Sequence, residues 1–166
     1  LLKQVSTFKA LFSKEGLSEQ DNNRSSKESK IVNNKRENIE LTSLNETKDI
    51  LQMSNVDEED ICVGGSAALA AYGIRECRDF DIVHRDPSSK ILFSQNVSSH
   101  NPYLDLYPGS LEDILYHPNN HIFIDGIKFL SMQNTVLMKK KRGEEKDRKD
   151  ITLIREYSES LQAENQ

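Results

Sequence analysis

The chain's 166 residues permit one complete domain with some excess, on the usual scale of roughly 100 to 200 residues per domain. Its hydrophobic fraction of 36% falls below the roughly 45 to 50% typical of globular domains, so part of the chain is expected to pack poorly or not at all. The net charge of -5 excludes a globally cationic nucleic-acid binder, and no run approaches the ~18 apolar residues of a membrane span.

In chain order, Leu1, Val5, Phe8, Leu11 and Phe12 fall at spacings of three and four, which predicts a short amphipathic helix ending near Lys14. The stretch from Ser18 to Glu40 is rich in Ser, Asn, Glu and Lys. It has too little apolar surface to offset ordering entropy, and a disordered linker is expected there. Leu41, Leu44 and Leu51 predict a second helix over Leu41 to Met53. Residues 1–45 are therefore read as an N-terminal helix and linker, and 46–161 as the folded domain.

The acidic run Asp57 to Asp60 reads as a solvated turn, and Ile61 to Val63 as a short buried strand that Gly64 and Gly65 end. Ser66 to Tyr72 is mostly alanine and leucine, with Ser66 placed to cap a helix and Gly73 to close it. Asp79 to Val83 alternates charged and apolar residues, as a half-buried strand does. Tyr103 to Tyr107 alternates in the same way and is read as a further strand, after a connection over 84–101 without a clear helix. Asp125-Gly126 between His121–Ile124 and Ile127–Leu130 predicts a hairpin. Gln133 to Leu161 has helical periodicity, with a break at Gly143. The expected fold is a mixed α/β (α+β) domain, a small mixed sheet flanked by helices. Only two cysteines occur, the apolar neighbours of Cys62 suggest a buried thiol in a reducing compartment, and the chain is read as cytoplasmic.

Asp79 and Asp81, two residues apart in a strand, leave the same face while Phe80 and Ile82 leave the other. Two such anions need a compensating cation, and hard divalent ions take carboxylate oxygens, so a metal site is the economical explanation. Asp105 lies between two leucines and would add a third carboxylate if its strand ran beside the first. Upstream, Gly64, Gly65 and Ser66 stand between a strand and a helix start, where backbone N–H groups and a hydroxyl can meet a phosphate.

Taken together, "GGSAALAAYGIRECRDFDI" resembles the Gly-Ser loop, short helix and Asp-x-Asp strand of the DNA polymerase beta-like nucleotidyltransferase superfamily. "KDRKDI" at 146–151 resembles the Lys-Asp-x-x-Asp helix motif of its minimal members. The resemblance covers Glu58 to Tyr157. It implies Asp79 and Asp81 as metal ligands, Asp105 as third ligand and base, and Gly64, Gly65 and Ser66 as phosphate contacts, with Arg78, Lys140 and Lys146 as further nucleotide-binding residues. The implied cofactor is Mg²⁺ (or Mn²⁺), the substrate a nucleoside triphosphate, and the acceptor an RNA, a protein or a small molecule. A catalytically inactive nucleotide-binding or partner-binding module of the same fold is the alternative.

Blander readings stand beside each residue. Gly64 to Ser66 alone is an ordinary strand-to-helix turn, and exposed strand carboxylates are common. Asp125 is a rival third carboxylate, though Asp-Gly suits a turn. Arg75 and Arg78 are either phosphate contacts or solvated charges. The basic run Lys139 to Arg142, with Lys146, Arg148 and Lys149, is interspersed with Glu144, Glu145, Asp147 and Asp150, so a salt-bridged solvent face competes with a phosphate-binding role. The four histidines show no zinc spacing.

Overall fold

The computed structural model describes residues 41–85 and 91–164. The helix expected before Lys14 and the polar stretch from Ser18 to Glu40 lie outside them. Helix α1 (Leu41–Ser54) places Leu44, Thr47, Ile50 and Leu51 in the interior. Their spacing of three and four residues is one helical face, so α1 must lie flat on a core. Leu44 lies on the linker side of the expected boundary at residue 45, yet it is part of that core.

Five strands form one mixed sheet: β1 (Ile61–Gly64), β2 (Phe80–His84), β3 (Val97–Ser99), β4 (His121–Ile124) and β5 (Ile127–Leu130), in the order β3-β2-β1-β5-β4. β1 is central, antiparallel to β2 and parallel to β5. A strand covered on both faces should be apolar throughout, and every residue of β1 is buried. One face carries Ile61, Val63, Phe80, Ile82 and Phe129 against α1. The opposite face carries Cys62, Val83 and Leu130 against helix α3 (Leu111–Tyr116) and Tyr107. Phe80 and Phe129 meet edge to face at 5.7 Å in the first layer.

Helix α2 (Gly65–Ala71) leaves β1 without a loop; every residue but Ser66 is buried, as expected of a helix that is small and apolar all round. Its Leu69 packs with Met132 and Val136 of α4 (Met132–Arg142) and Ile154 of α5 (Glu145–Ala163). Among the described residues, no helix is long and apolar enough to cross a membrane.

Several expectations hold residue for residue. The hairpin turns at Asp125 (φ 49°) and Gly126 (φ 84°), the two left-handed positions that Asp-Gly supplies. Gly143 ends α4 with φ 70°, and its N–H is donated to the Lys139 carbonyl. Cys62 is the buried thiol its neighbours suggested, and Cys77, for which sequence made no such prediction, is buried as well. Burial pushes the Cys62 thiol up to about 12, against the opposing charge of Lys128.

Three expectations are corrected. Tyr103 to Tyr107 is not a strand: Asn101–Leu106 forms 3-10 turns with Pro102 at their start. Proline presets a helical φ and has no N–H to give a ladder, so Asn-Pro initiates a turn and the following alternation misleads. The strand beside β2 is instead β3, which the reading of the 84–101 connection did not identify. Ser66 does not cap α2; Gly64 is the N-cap residue, without a side-chain cap.

Candidate functional site

β1 and β2 are registered so that Gly64 faces Asp81 and Cys62 faces Val83. Alternation then puts the Asp81 side chain on the sheet face that carries Cys62 and Val83, opposite to Phe80 and Ile82. Gly65, at the next position, turns left-handed with φ 59°. A Cβ built on it would overlap Asp81 Oδ2, with the carboxyl carbon at 3.3 Å. A Cβ on Gly64 would stand 2.9 Å from the Tyr107 hydroxyl. The two glycines thus have separate reasons: one clears a phenol, the other a carboxylate. Ser98 Oγ of β3 donates to Asp81 Oδ1 at 3.2 Å, which fixes the carboxylate while leaving it half-buried.

The other two carboxylates are placed differently. Asp79 is exposed and stands one residue before β2. Asp105 is exposed on the 3-10 segment, where its backbone carbonyl, not its carboxylate, accepts from Lys141 Nζ. Among the described residues, no three His, Cys, Asp or Glu side chains are grouped to hold a metal ion. Mg²⁺ does not require such a cage, because it usually keeps several waters and is held by one or two carboxylates together with substrate phosphates. Asp81 offers hard carboxylate oxygens of the kind such a site uses, and Asp79 stands two residues earlier, exposed just before β2. Asp125 occupies its left-handed turn position, as its turn reading implied.

A buried pair that sequence reasoning did not single out adjoins the glycines. His100 Nδ1 is hydrogen-bonded to the Tyr107 hydroxyl, and both side chains are buried. Burial pushes the Tyr107 phenol up, and the Asp81 charge adds to the effect. Burial also lowers His100; the Asp81 anion opposes this, while Arg142, Lys139 and Lys146 reinforce it. His100 is therefore neutral at pH 7, in a field shaped by one carboxylate on β2 and three cations from the α4–α5 region. No motif or spacing marks His100 in advance.

The basic helix pair is the largest departure from a solvated face. Lys139 is 1% exposed and its ammonium donates to Asp150 at 2.7 Å and Asp147 at 3.3 Å. Asp147 also takes two bonds from Arg142, at 2.8 and 2.7 Å. Asp150 takes two from Arg75, at 2.7 and 3.1 Å. Burial by itself raises both carboxyls, but the Arg142 and Lys139 partners hold Asp147 below its ordinary value, and Arg75 and Lys139 do the same for Asp150. Arg75 Nη2 continues the chain by donating to Ser66 Oγ at 2.6 Å. The network connects the residue after the glycines to the C-terminal helix. Of the other expected cations, Arg78 and Lys140 are exposed, and Lys146 is exposed with Glu144 at 3.1 Å.

No protein-family model matches the chain, and neither the curated proteins nor the solved structures contain a match to it.

Proposed function

We propose that the chain is a nucleotidyltransferase of the minimal kind its motifs resemble, using Mg²⁺ (or Mn²⁺) and a nucleoside triphosphate. The observation that carries this reading is the Asp81 carboxylate lying over the bare Cα of Gly65 where β1 runs into α2. A carboxylate pressed against a backbone turn with no side chain, next to a serine hydroxyl, is an arrangement that accepts a polyphosphate from one side and a cation from the other. Asp81 and Asp79 are the residues that would hold the ion. When bound, it supplies charge neutralisation on the phosphate oxygens.

The acceptor hydroxyl attacks the α-phosphorus and gives its proton to the Asp105 carboxylate, the base that the resemblance implies; a P–O ester bond forms, the bond from the α-phosphorus to the oxygen bridging to the β-phosphate breaks, and pyrophosphate departs. Ser66 orients the polyphosphate through its hydroxyl. Asp81 keeps its position by way of Ser98. Most of the protein's contribution is positioning, which for phosphoryl chemistry is the larger share of catalysis. Arg78, Lys140 and Lys146 are exposed cations within this reading and serve as outer contacts for the nucleotide.

The test is equilibrium binding of labelled ATP, GTP, CTP and UTP with Mg²⁺ to the native chain and to Asp79→Asn with Asp81→Asn, together with pyrophosphate release in the presence of RNA, protein and small-molecule acceptor fractions. Binding by the native chain and its loss in the double variant is expected. Equal behaviour of the two proteins removes the proposal.

A second reading is favoured by one observation, the placement of Asp105 on a 3-10 turn and not in a strand beside β2. Without a third carboxylate as base, the fold would serve as a nucleotide-binding or partner-binding module. Tight Mg²⁺-dependent binding with no pyrophosphate release selects this version.

A further inference from the structure

We infer that Arg75 is a positioning residue that orients the Ser66 hydroxyl toward the polyphosphate; this rests on the proposed nucleotide reading of the Gly65–Ser66 corner. Four of the five N–H donors of the Arg75 guanidinium are used within the protein. Nε and Nη2 grip Asp150 at 2.7 and 3.1 Å, Nη1 donates to the Glu76 carbonyl at 3.1 Å, and Nη2 also donates to Ser66 Oγ at 2.6 Å. An arginine committed in this way is not a phosphate clamp.

Its effect on Ser66 is chemical as well as spatial. A hydroxyl has one donor and two acceptor lone pairs, and the arginine takes up a lone pair. The Ser66 O–H is left to donate elsewhere, and a charged donor on the same oxygen polarises it into a stronger one. Asp150 is held in turn by Lys139, whose buried ammonium donates at 2.7 Å to Oδ2, the oxygen that Arg75 Nη2 also bonds. The direction of one hydroxyl at the glycine corner is thereby set from α5, a helix 75 residues further along from Arg75 at Asp150.

Because acting through Ser66 differs from merely supporting the fold, a double-mutant cycle separates the two. The probe is Mg²⁺ with inorganic triphosphate, titrated calorimetrically into the native chain, Ser66→Ala, Arg75→Gln and the double variant. Each single change is expected to weaken binding about tenfold, and the double variant also about tenfold and not about a hundredfold, since one hydrogen bond is lost in all three. Arg75→Lys keeps the charge but cannot span Asp150 and Ser66 together, so it should bind as weakly as Arg75→Gln. It also completes the cycle if Arg75→Gln does not fold by circular dichroism. Losses that multiply, or native-like binding by Arg75→Lys, overturn the inference alone. A native chain that binds no triphosphate overturns both this inference and the nucleotide reading.

Discussion

Gly65 and Gly143 form a natural comparison, because both have positive φ, at 59° and 70°, and differ in what surrounds them. A Cβ on Gly143 meets nothing nearer than the Lys140 carbonyl at 3.8 Å, whereas on Gly65 it collides with the Asp81 carboxylate. Gly143→Ala should cost only the left-handed backbone penalty, about 1 to 2 kcal/mol. Gly65→Ala adds displacement of Asp81, and about 2 to 4 kcal/mol is expected from strain and lost contacts together. Urea unfolding of both variants checks this, and equal costs would show that Asp81 does not lean on Gly65. The strand-to-helix turn at Gly64 and Gly65 was legible from residue type. The His100–Tyr107 contact was not, because it joins a loop histidine to a tyrosine whose apparent strand is a 3-10 turn.

At the level of elements, the α4–α5 hairpin depends on a charge, not only on an apolar seam. Lys139→Met preserves length and hydrocarbon but leaves Asp147 and Asp150 facing each other inside the protein, each with one arginine. Breaking a buried ion pair from one side costs about 3 to 5 kcal/mol, and a loss of that size in urea is expected. Both carboxyls sit below their ordinary value of 3.8 in the folded chain, so the stability they supply is present above that pH and is lost as pH falls through the folded values. Lys139→Met raises those values, so its acid loss should begin at higher pH than that of the native chain. The hairpin turn at Asp125-Gly126 and the helix break at Gly143 could be read directly, since each depends on a local backbone demand. The burial of Lys139, Asp147 and Asp150 could not. A run of mixed charges has the same periodicity whether it pairs with water or with itself, and only tertiary packing on Leu69 and Ile154 turns it inward.

For the molecule as a whole, acid sensitivity should have two stages. His100 and His121 are both lowered from 6.5, burial being the first cause in each. A histidine held neutral in the folded chain takes up a proton more readily when unfolded, so stability declines as pH drops below about 6.5 and levels off only beneath the folded values. The Asp147 and Asp150 stage follows at lower pH. Urea midpoints measured across pH 3 to 8 should fall in two steps, and a flat profile between about pH 7 and 5 would contradict the first. The sheet order β3-β2-β1-β5-β4 was beyond sequence reasoning, because β3 is three residues long and pairs in parallel with β2, without a hairpin to announce it.

The sealed ammonium of Lys139 bears on how the protein can come apart. An ion enclosed between two anions tolerates few halfway arrangements: pull α5 away and the Lys139 ammonium loses both partners; pull α4 away and Asp147 loses both its cations while Asp150 keeps only Arg75. Opening of the first two turns of α5, where Asp147 and Asp150 sit, is therefore tied to opening the interior and to release of the Arg75–Ser66 contact.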